Sequence, residues 1–225
     1  MTVSLDDVRK SEKIKELVEH ANKVLEVMGY TDHGPRHVGY VSRIAGEILE
    51  SLGREKRRIE LAKIAGWVHD VGNMVNRKSH GLNGAVLLFP ILCEMGMAIS
   101  EACEICAAVG SHEEETGLPV SDISAALIIA DKVDAHRARV RNKEFLPTDI
   151  HDRVNYSIDS TKLTVKDGTI AIDYTMGGGA SPMDFLSIYM TRMQMCEKSA
   201  RFLGCKFALH INGVKLNRWD DKDDV

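Results

Sequence analysis

The run Leu61-Ala62-Lys63-Ile64-Ala65-Gly66-Trp67-Val68 is apolar on nearly every side until it meets His69-Asp70. The pattern predicts a helix over Glu55–Val71, with Gly72 where a C-cap would sit. A helix that is apolar all round belongs inside a domain, which puts His69 and Asp70 in the core or on the floor of a cleft. A buried carboxylate without a charged partner is costly. A metal ion would satisfy both residues, since imidazole and carboxylate are ordinary ligands. A helix-terminal histidine beside a solvated aspartate is the competing reading, and the dipeptide alone leaves both open.

The same anomaly recurs on either side. His37, Val41, Ile44, Ile48 and Leu52 share one helical face, so His37 heads an inward stripe, with Thr31 or Asp32 expected to cap that helix. Ser79 is expected to cap the next helix, which begins at His80 and carries Gly84, Leu87 and Leu88 on the same face; Pro90 should kink or end it. A helix over Ala98–Ser111 buries Ala102, Ile105, Cys106 and Val109, and His112 continues that stripe. After Ser121 or Asp122 as cap, Ile123, Leu127 and Asp131 follow at i, i+4 spacing, so Asp131 takes an inward position where an unpaired carboxylate does not belong. Upstream, Leu5–Met28 reads as one amphipathic helix.

Five helices thus each place His37, His69-Asp70, His80, His112 or Asp131 where an apolar residue is expected. Convergence on metal in the bundle core explains all of them together. His37, His69, Asp70 and Asp131 would complete one site, and His80 with His112 a second, bridged by Asp70. Histidine-rich ligation favours Mn, Fe, Co, Ni or Zn over Mg.

The bulk composition is consistent with a folded domain. The 225 residues are 44% hydrophobic and 28% charged, with a net charge of −4, so there is neither a disorder signature nor a global basic footprint for nucleic acid. No apolar run is long enough to cross a membrane, and Met1-Thr2-Val3-Ser4-Leu5-Asp6-Asp7 lacks the apolar stretch of a signal peptide. The five cysteines, odd in number, read as reduced thiols in a cytoplasmic protein. Cys103 and Cys106 have CxxC spacing but no second pair, which reads as core packing.

Beyond Phe145–Asp152 the period changes. Val154, Tyr156 and Ile158 alternate with polar residues, as do Leu163 and Val165, then Ile170, Ile172 and Tyr174, with Lys166-Asp167-Gly168 as a hairpin turn. Gly177-Gly178-Gly179 is a linker, Pro182–Leu203 an amphipathic helix, and Cys205–Ile211 with Val214–Leu216 a second hairpin. The acidic tail Asp220–Val225 should fray. The expected fold is mainly α: a helical metal-binding domain over 1–150, then a small α+β unit over 151–225 made of hairpin, helix and hairpin. That unit should supply no metal ligand. Its helix and sheet should pack mostly on each other, leaving an edge strand available for homodimerisation.

The order His…His-Asp…His…His…Asp over Thr31–Arg141 resembles the HD-domain metal-dependent phosphohydrolases. Ser79-His80-Gly81-Leu82-Asn83-Gly84, and the run from Ala130-Asp131-Lys132-Val133-Asp134 to Arg139, look like the corresponding stretches of ribonuclease Y. Ser111-His112-Glu113 with Gly117-Leu118-Pro119 looks like a shortened HD-GYP phosphodiesterase motif, with Leu118 replacing its tyrosine and Ser111 another histidine. Asn73 stands where a lysine usually follows the His-Asp pair.

The resemblance implies hydrolysis of a phosphate mono- or diester, in a nucleotide or other small phosphorylated metabolite, by a metal-activated water. Asp70, Lys78 and Lys132 are then the expected catalytic groups, and Arg36, Arg137 and Arg139 the expected substrate contacts. Membrane and nucleic-acid partners are not implied. The alternative is a non-catalytic HD module that senses a nucleotide or metal and signals through the C-terminal unit.

Overall fold

The computed structural model describes residues 2–114, 117–141 and 149–217; the expected fraying of the acidic tail lies outside the described residues. The chain is a helical bundle followed by a helix-crossed four-stranded sheet. Its first expected helix is divided into α1 (Leu5–Lys10) and α2 (Glu12–Val27). Ser11 makes the break. Its backbone is extended and its hydroxyl faces the amide of Ile14 at 3.5 Å, the capping geometry that serine favours over a helix interior. α3 (Pro35–Ser51) starts with proline in its first turn after Gly34, so neither Thr31 nor Asp32 caps it.

α4 (Lys56–Val68) is shorter than the expected Glu55–Val71: His69 is its C-cap, and the chain tightens into a 3-10 turn, Val71–Met74, directly after Asp70. α5 (His80–Glu94) runs through Pro90 instead of ending there. Phe89 and Pro90 face solvent and Val86 is largely exposed, so water can meet the carbonyl group that the proline leaves without an amide donor. Ser79 precedes α5 with φ of 60°, in the left-handed region, and its hydroxyl does not cap the helix as expected. α6 (Ile99–Gly110) and α7 (Asp122–Lys132) follow, and Ser121 caps α7 through the amide of Ser124 at 3.1 Å.

The segment read as a first strand is instead α8 (Ile150–Ser157), capped by Asp149. The alternation of Val154, Tyr156 and Ile158 is too short to separate the two periods. β1 (Ile158–Lys166) and β2 (Thr169–Met176) form an antiparallel hairpin. α9 (Pro182–Phe202) then returns the chain so that β3 (Lys206–Ile211) pairs parallel to β2, with Ile172 opposite Leu209 and Tyr174 opposite Ile211. β4 (Val214–Lys215) pairs with β3. The two expected hairpins are therefore one mixed sheet in the order β1-β2-β3-β4, joined by the crossover that a parallel pair requires.

α9 does not pack mostly on its own sheet. Phe185 stacks with Tyr189 at 4.6 Å and meets Tyr174 at 4.8 Å, yet the most extensive neighbour of α9 is α7. The reason is a second covered face: Met195 and Ser199 are buried as well as the stripe of Tyr189, Met193, Cys196 and Ala200. One continuous apolar core accordingly runs from α1 to the sheet.

Two glycines set the approach of the site's elements. A Cβ on Gly66 would lie 2.7 Å from the backbone of Ser42, so its absence lets α3 and α4 touch. A Cβ on Gly72 would collide with the carbonyl of His80 and the amide of Gly84, so the 3-10 turn seats directly on the start of α5.

Candidate metal centre

The close crossing of α3 and α4 brings His37 and His69 together with their Nε2 atoms 3.3 Å apart. The turn after His69 aims Asp70 at both: its Oδ2 lies 3.5 Å from His37 Nε2 and 3.3 Å from His69 Nε2. From α7, Asp131 Oδ1 joins them at 3.4 and 3.6 Å. The other carboxylate oxygen of Asp70, Oδ1, lies 3.3 Å from His80 Nε2, which itself lies 3.0 Å from His112 Nε2. All six side chains expected as ligands are thus brought into one cluster, and Asp70 faces the two histidine pairs with different oxygens. Five of them are buried: His37, His69, Asp70, His80 and His112.

Each imidazole is oriented from behind. His37 Nδ1 bonds Asp134 Oδ2 at 2.7 Å, His69 Nδ1 the carbonyl of Gly66 at 2.9 Å, His80 Nδ1 that of Arg77 at 3.0 Å, and His112 Nδ1 that of Val109 at 2.5 Å. A carbonyl only accepts, so each of those Nδ1 atoms donates, and Nε2 is the atom turned to the centre. The carboxylate of Glu113 also reaches His80 Nδ1. Asn73, where a lysine was expected from the family pattern, donates to Asp70 Oδ1 at 2.8 Å and to its carbonyl at 3.0 Å, steadying the bridging residue.

The centre calls for positive charge. Asp70 Oδ2 is buried with no hydrogen-bond partner among the described residues. Burial opposes charge on His69, but Asp70 and Asp131 override it and push its pKa up to about 10. Burial and Arg139 oppose charge on His37, while Asp131, Asp134 and Asp70 raise it. Burial would raise Asp70 and Asp131, yet the neighbouring His69, with Lys132 beside Asp131, holds both carboxyls well below their usual range. His112 is kept neutral by burial and by His80. Facing ring nitrogens and shared carboxylates of this kind are what a divalent cation satisfies in place of protons. The donor set therefore fits the expected metal: His37, His69 and Asp70, then His69, His112 and Asp131, then Asp70, His80 and His112 form three overlapping groups of converging ligand atoms.

The centre opens to solvent in two steps. A narrow space of about 30 Å³, enough for about two water-sized groups, reaches Asp70, His80, Asp131 and Lys132. Outside it lies a cleft of about 500 Å³ lined by Tyr30, Arg77, Lys78, Glu114, Lys132 and Arg192, among others. Lys132 is buried, bonds Asp131 Oδ2 at 2.6 Å, and lines both spaces. Lys78 stands at the outer cleft alone.

The three arginines expected to meet substrate are placed differently. Arg36 bonds Asp134 Oδ2 at 2.8 Å and is absent from the lining of either space. Arg139 is buried, bonds the carbonyl groups of Asp134 and Asp32 at 2.8 and 3.1 Å, and lines the inner space but not the outer cleft. Arg137 pairs with Asp159, beneath Tyr156, and lines neither.

Arg77, Arg192 and Asp134 join the site without being among its expected residues. Arg77 lies over the ring of Tyr30, lines both spaces and makes no ion pair among the described residues. Its sequence signal was its place in the loop between Asp70 and His80. Arg192 pairs with Glu114 at 2.6 Å and reaches the cleft only because α9 docks on α7, which no local pattern reveals. The signal for Asp134 was its spacing three residues after Asp131.

Residues 36–139 match the family model of the HD domain. Two curated relatives align. One is an uncharacterized protein of Methanocaldococcus jannaschii, 26% identical over 160 residues, or 60% of this chain and 61% of that protein. The other is ribonuclease Y of Lawsonia intracellularis, 30% identical over 115 residues, or 50% of this chain and 20% of that protein. Both alignments span less than two thirds of the relative. Among solved structures, a predicted HD superfamily hydrolase from an uncultured Thermotogales bacterium shares 25% identity over 55% of this chain and 67% of that one, with a TM-score of 0.44. Among the described residues, no helix is long and apolar enough to cross a membrane.

Proposed function

Residues 36–139 are an HD domain, distantly related to ribonuclease Y, and we propose that the protein uses it to hydrolyse the phosphate mono- or diester of a small metabolite such as a nucleotide. The observation that carries this reading is the common orientation of four imidazoles, each bonded at Nδ1 and turned at Nε2 toward the oxygens of Asp70 or toward one another. A pure binding module has no need of so complete a donor set.

Two divalent ions would, when bound, lower the pKa of a coordinated water and neutralise charge on the ester oxygens. His37, His69, Asp70 and Asp131 would hold one, and Asp70, His80 and His112 the other. Histidine-rich donors favour Mn, Fe, Co, Ni or Zn. The chain's own residues do the rest. Asp134, Gly66, Arg77 and Val109 fix the rings, and Asn73 keeps Asp70 in its bridging orientation. Lys132 offsets the charge of Asp131 and stands where the narrow space opens, so it orients a phosphate oxygen arriving there. Arg77 and Arg192 stand at the mouth, where a planar guanidinium suits a phosphate. The wider cleft and the space adjoining it leave room for the ester's organic group, their volumes suiting a small molecule. Free cysteines throughout the described chain suit a reducing cytoplasm.

The test is a screen of nucleotides, cyclic nucleotides and sugar phosphates with Mn²⁺ present, together with element analysis of the purified protein. Hydrolysis of at least one ester, abolished by chelator and restored by the metal, is the expected result. A protein that retains its metals yet turns over none of these esters would leave the sensing module as the better reading.

A further inference from the structure

A third pocket, of about 250 Å³, adjoins the two spaces above and shares Arg77 and Arg192 with both. Its far wall is α8. There Asp152 is only 9% exposed and lines the pocket, yet its carboxylate accepts no hydrogen bond and forms no ion pair among the described residues. Its neighbours are already engaged. Asp149 Oδ1 accepts from the amides of His151 and Asp152 at 2.7 and 3.3 Å. Asn155 donates to the carbonyl of His151 at 2.8 Å and accepts from Tyr189 at 3.0 Å. Burial and Asp149 raise the carboxyl of Asp152 against the opposing influence of His151, a cost that an incoming donor pair would relieve.

On the facing side, His33 Nδ1 lies 2.7 Å from the carbonyl of Thr31 and must donate to it, which leaves Nε2 as an acceptor with no partner among the described residues. The pocket therefore presents an unused carboxylate on α8 and, where it meets the metal centre, His33 Nε2 beside three guanidinium groups, those of Arg77, Arg139 and Arg192. An ester whose phosphate sits at the guanidinium end must bring hydrogen-bond donors to the other.

We propose that this pocket holds the hydroxyl-bearing organic group of the phosphate ester, a pentose or similar polyol, with Asp152 accepting from its adjacent hydroxyls. The assignment rests on the phosphate-ester reading for its orientation, but its test does not need turnover. Three probes separate the contributions: ribose 5-phosphate carries hydroxyls without a base, a 2′,3′-dideoxynucleoside 5′-monophosphate carries a base without those hydroxyls, and p-nitrophenyl phosphate carries neither. Calorimetric Kd values are measured on the metal-stripped protein for the first two, and kcat/KM with Mn²⁺ for all three, in wild type, Asp152→Ala and the isosteric Asp152→Asn.

Ribose 5-phosphate should lose about tenfold or more in Kd, and in kcat/KM where it turns over, in both variants, the size expected for hydrogen bonds to a charged acceptor. The other two probes should be unchanged. Failure of wild type to bind ribose 5-phosphate, equal losses on all probes, or a loss confined to the dideoxynucleotide would overturn the assignment. Asp152-dependent binding of ribose 5-phosphate without hydrolysis of any probe would keep the pocket and remove the hydrolase reading. Turnover whose probe preference ignores Asp152 would do the reverse.

Discussion

Asp134 Oδ2 lies 2.7 Å from His37 Nδ1 and 2.8 Å from an Nη atom of Arg36. The aspartate thus ties a ring of the centre to a surface cation, and it explains why Arg36 is spent behind the site instead of in the cleft. Groups that orient a metal-binding histidine in this way typically govern metal affinity or activity by about 10–100-fold. Asp134→Asn should weaken metal binding by that order while leaving the helical content unchanged, as read by chelator competition and circular dichroism. Unaltered affinity would mean that the pair is only structural.

Asp70 offers one oxygen to each histidine pair. Asp70→Ala should therefore empty the centre and abolish hydrolysis in a protein that still folds. His80→Ala or His112→Ala should lower the metal content by one ion without emptying it. Element analysis of the purified variants separates these outcomes. Wild-type metal content in Asp70→Ala would overturn the arrangement.

Metal uptake should release protons. Despite burial, Asp70 and Asp131 push the pKa of His69 up to about 10, so in the metal-free protein its ring stays protonated through neutral pH. The ion competes with that proton. Raising the pH toward 10 therefore strengthens metal binding, by up to about tenfold per pH unit for each proton displaced, and the gain ends once the ring titrates unaided. Calorimetry in buffers of differing ionisation enthalpy should show net proton release at pH 7. A buffer-independent heat would contradict this.

Gly72 has no room for a side chain, because a Cβ would strike the start of α5 at His80 and Gly84. Gly72→Ala should cost about 1–3 kcal/mol in denaturant unfolding, the usual range for overpacking a tight contact. It should also displace His80, so that metal content falls more than in a control substitution such as Gly53→Ala, where nothing lies within 4 Å of the added atom but the positive φ imposes a strain of its own.

Arg77 is a cation without an ion pair among the described residues at the mouth of the cleft. Arg77→Met should reduce kcat/KM for phosphate esters by about ten- to a hundredfold, the loss of one or two charge-assisted hydrogen bonds, with metal content intact. Steady-state kinetics beside element analysis reads both.

The centre was legible because each of its histidines and aspartates interrupts an otherwise apolar helical stripe; His37 ahead of Val41 and Asp131 after Leu127 are the clearest cases. The helix breaks were legible only where punctuation was strong. Ser11 divides α1 from α2 without any loss of apolar periodicity, and Pro90 does not stop α5 because its face is wet. Val154–Ile158 was misread because five residues fit either period. Arg192 and the packing of α9 on α7 were illegible for a different reason: α9 has two apolar faces, and sequence does not say which partner each one meets.

The parallel pairing of β2 with β3 has a consequence in time. Antiparallel neighbours can zip as soon as a turn forms, but this pair must wait for the whole of α9 to be made and returned across it. All six clustered histidines and aspartates lie at or before Asp131, whereas Asn155, Tyr189 and Arg192, which wall the adjoining pockets, come later. During synthesis the ion-binding side chains leave the ribosome well ahead of the wall that shields them. For that interval the nascent bundle has an exposed centre without a finished cleft, and the docking of α9 closes it.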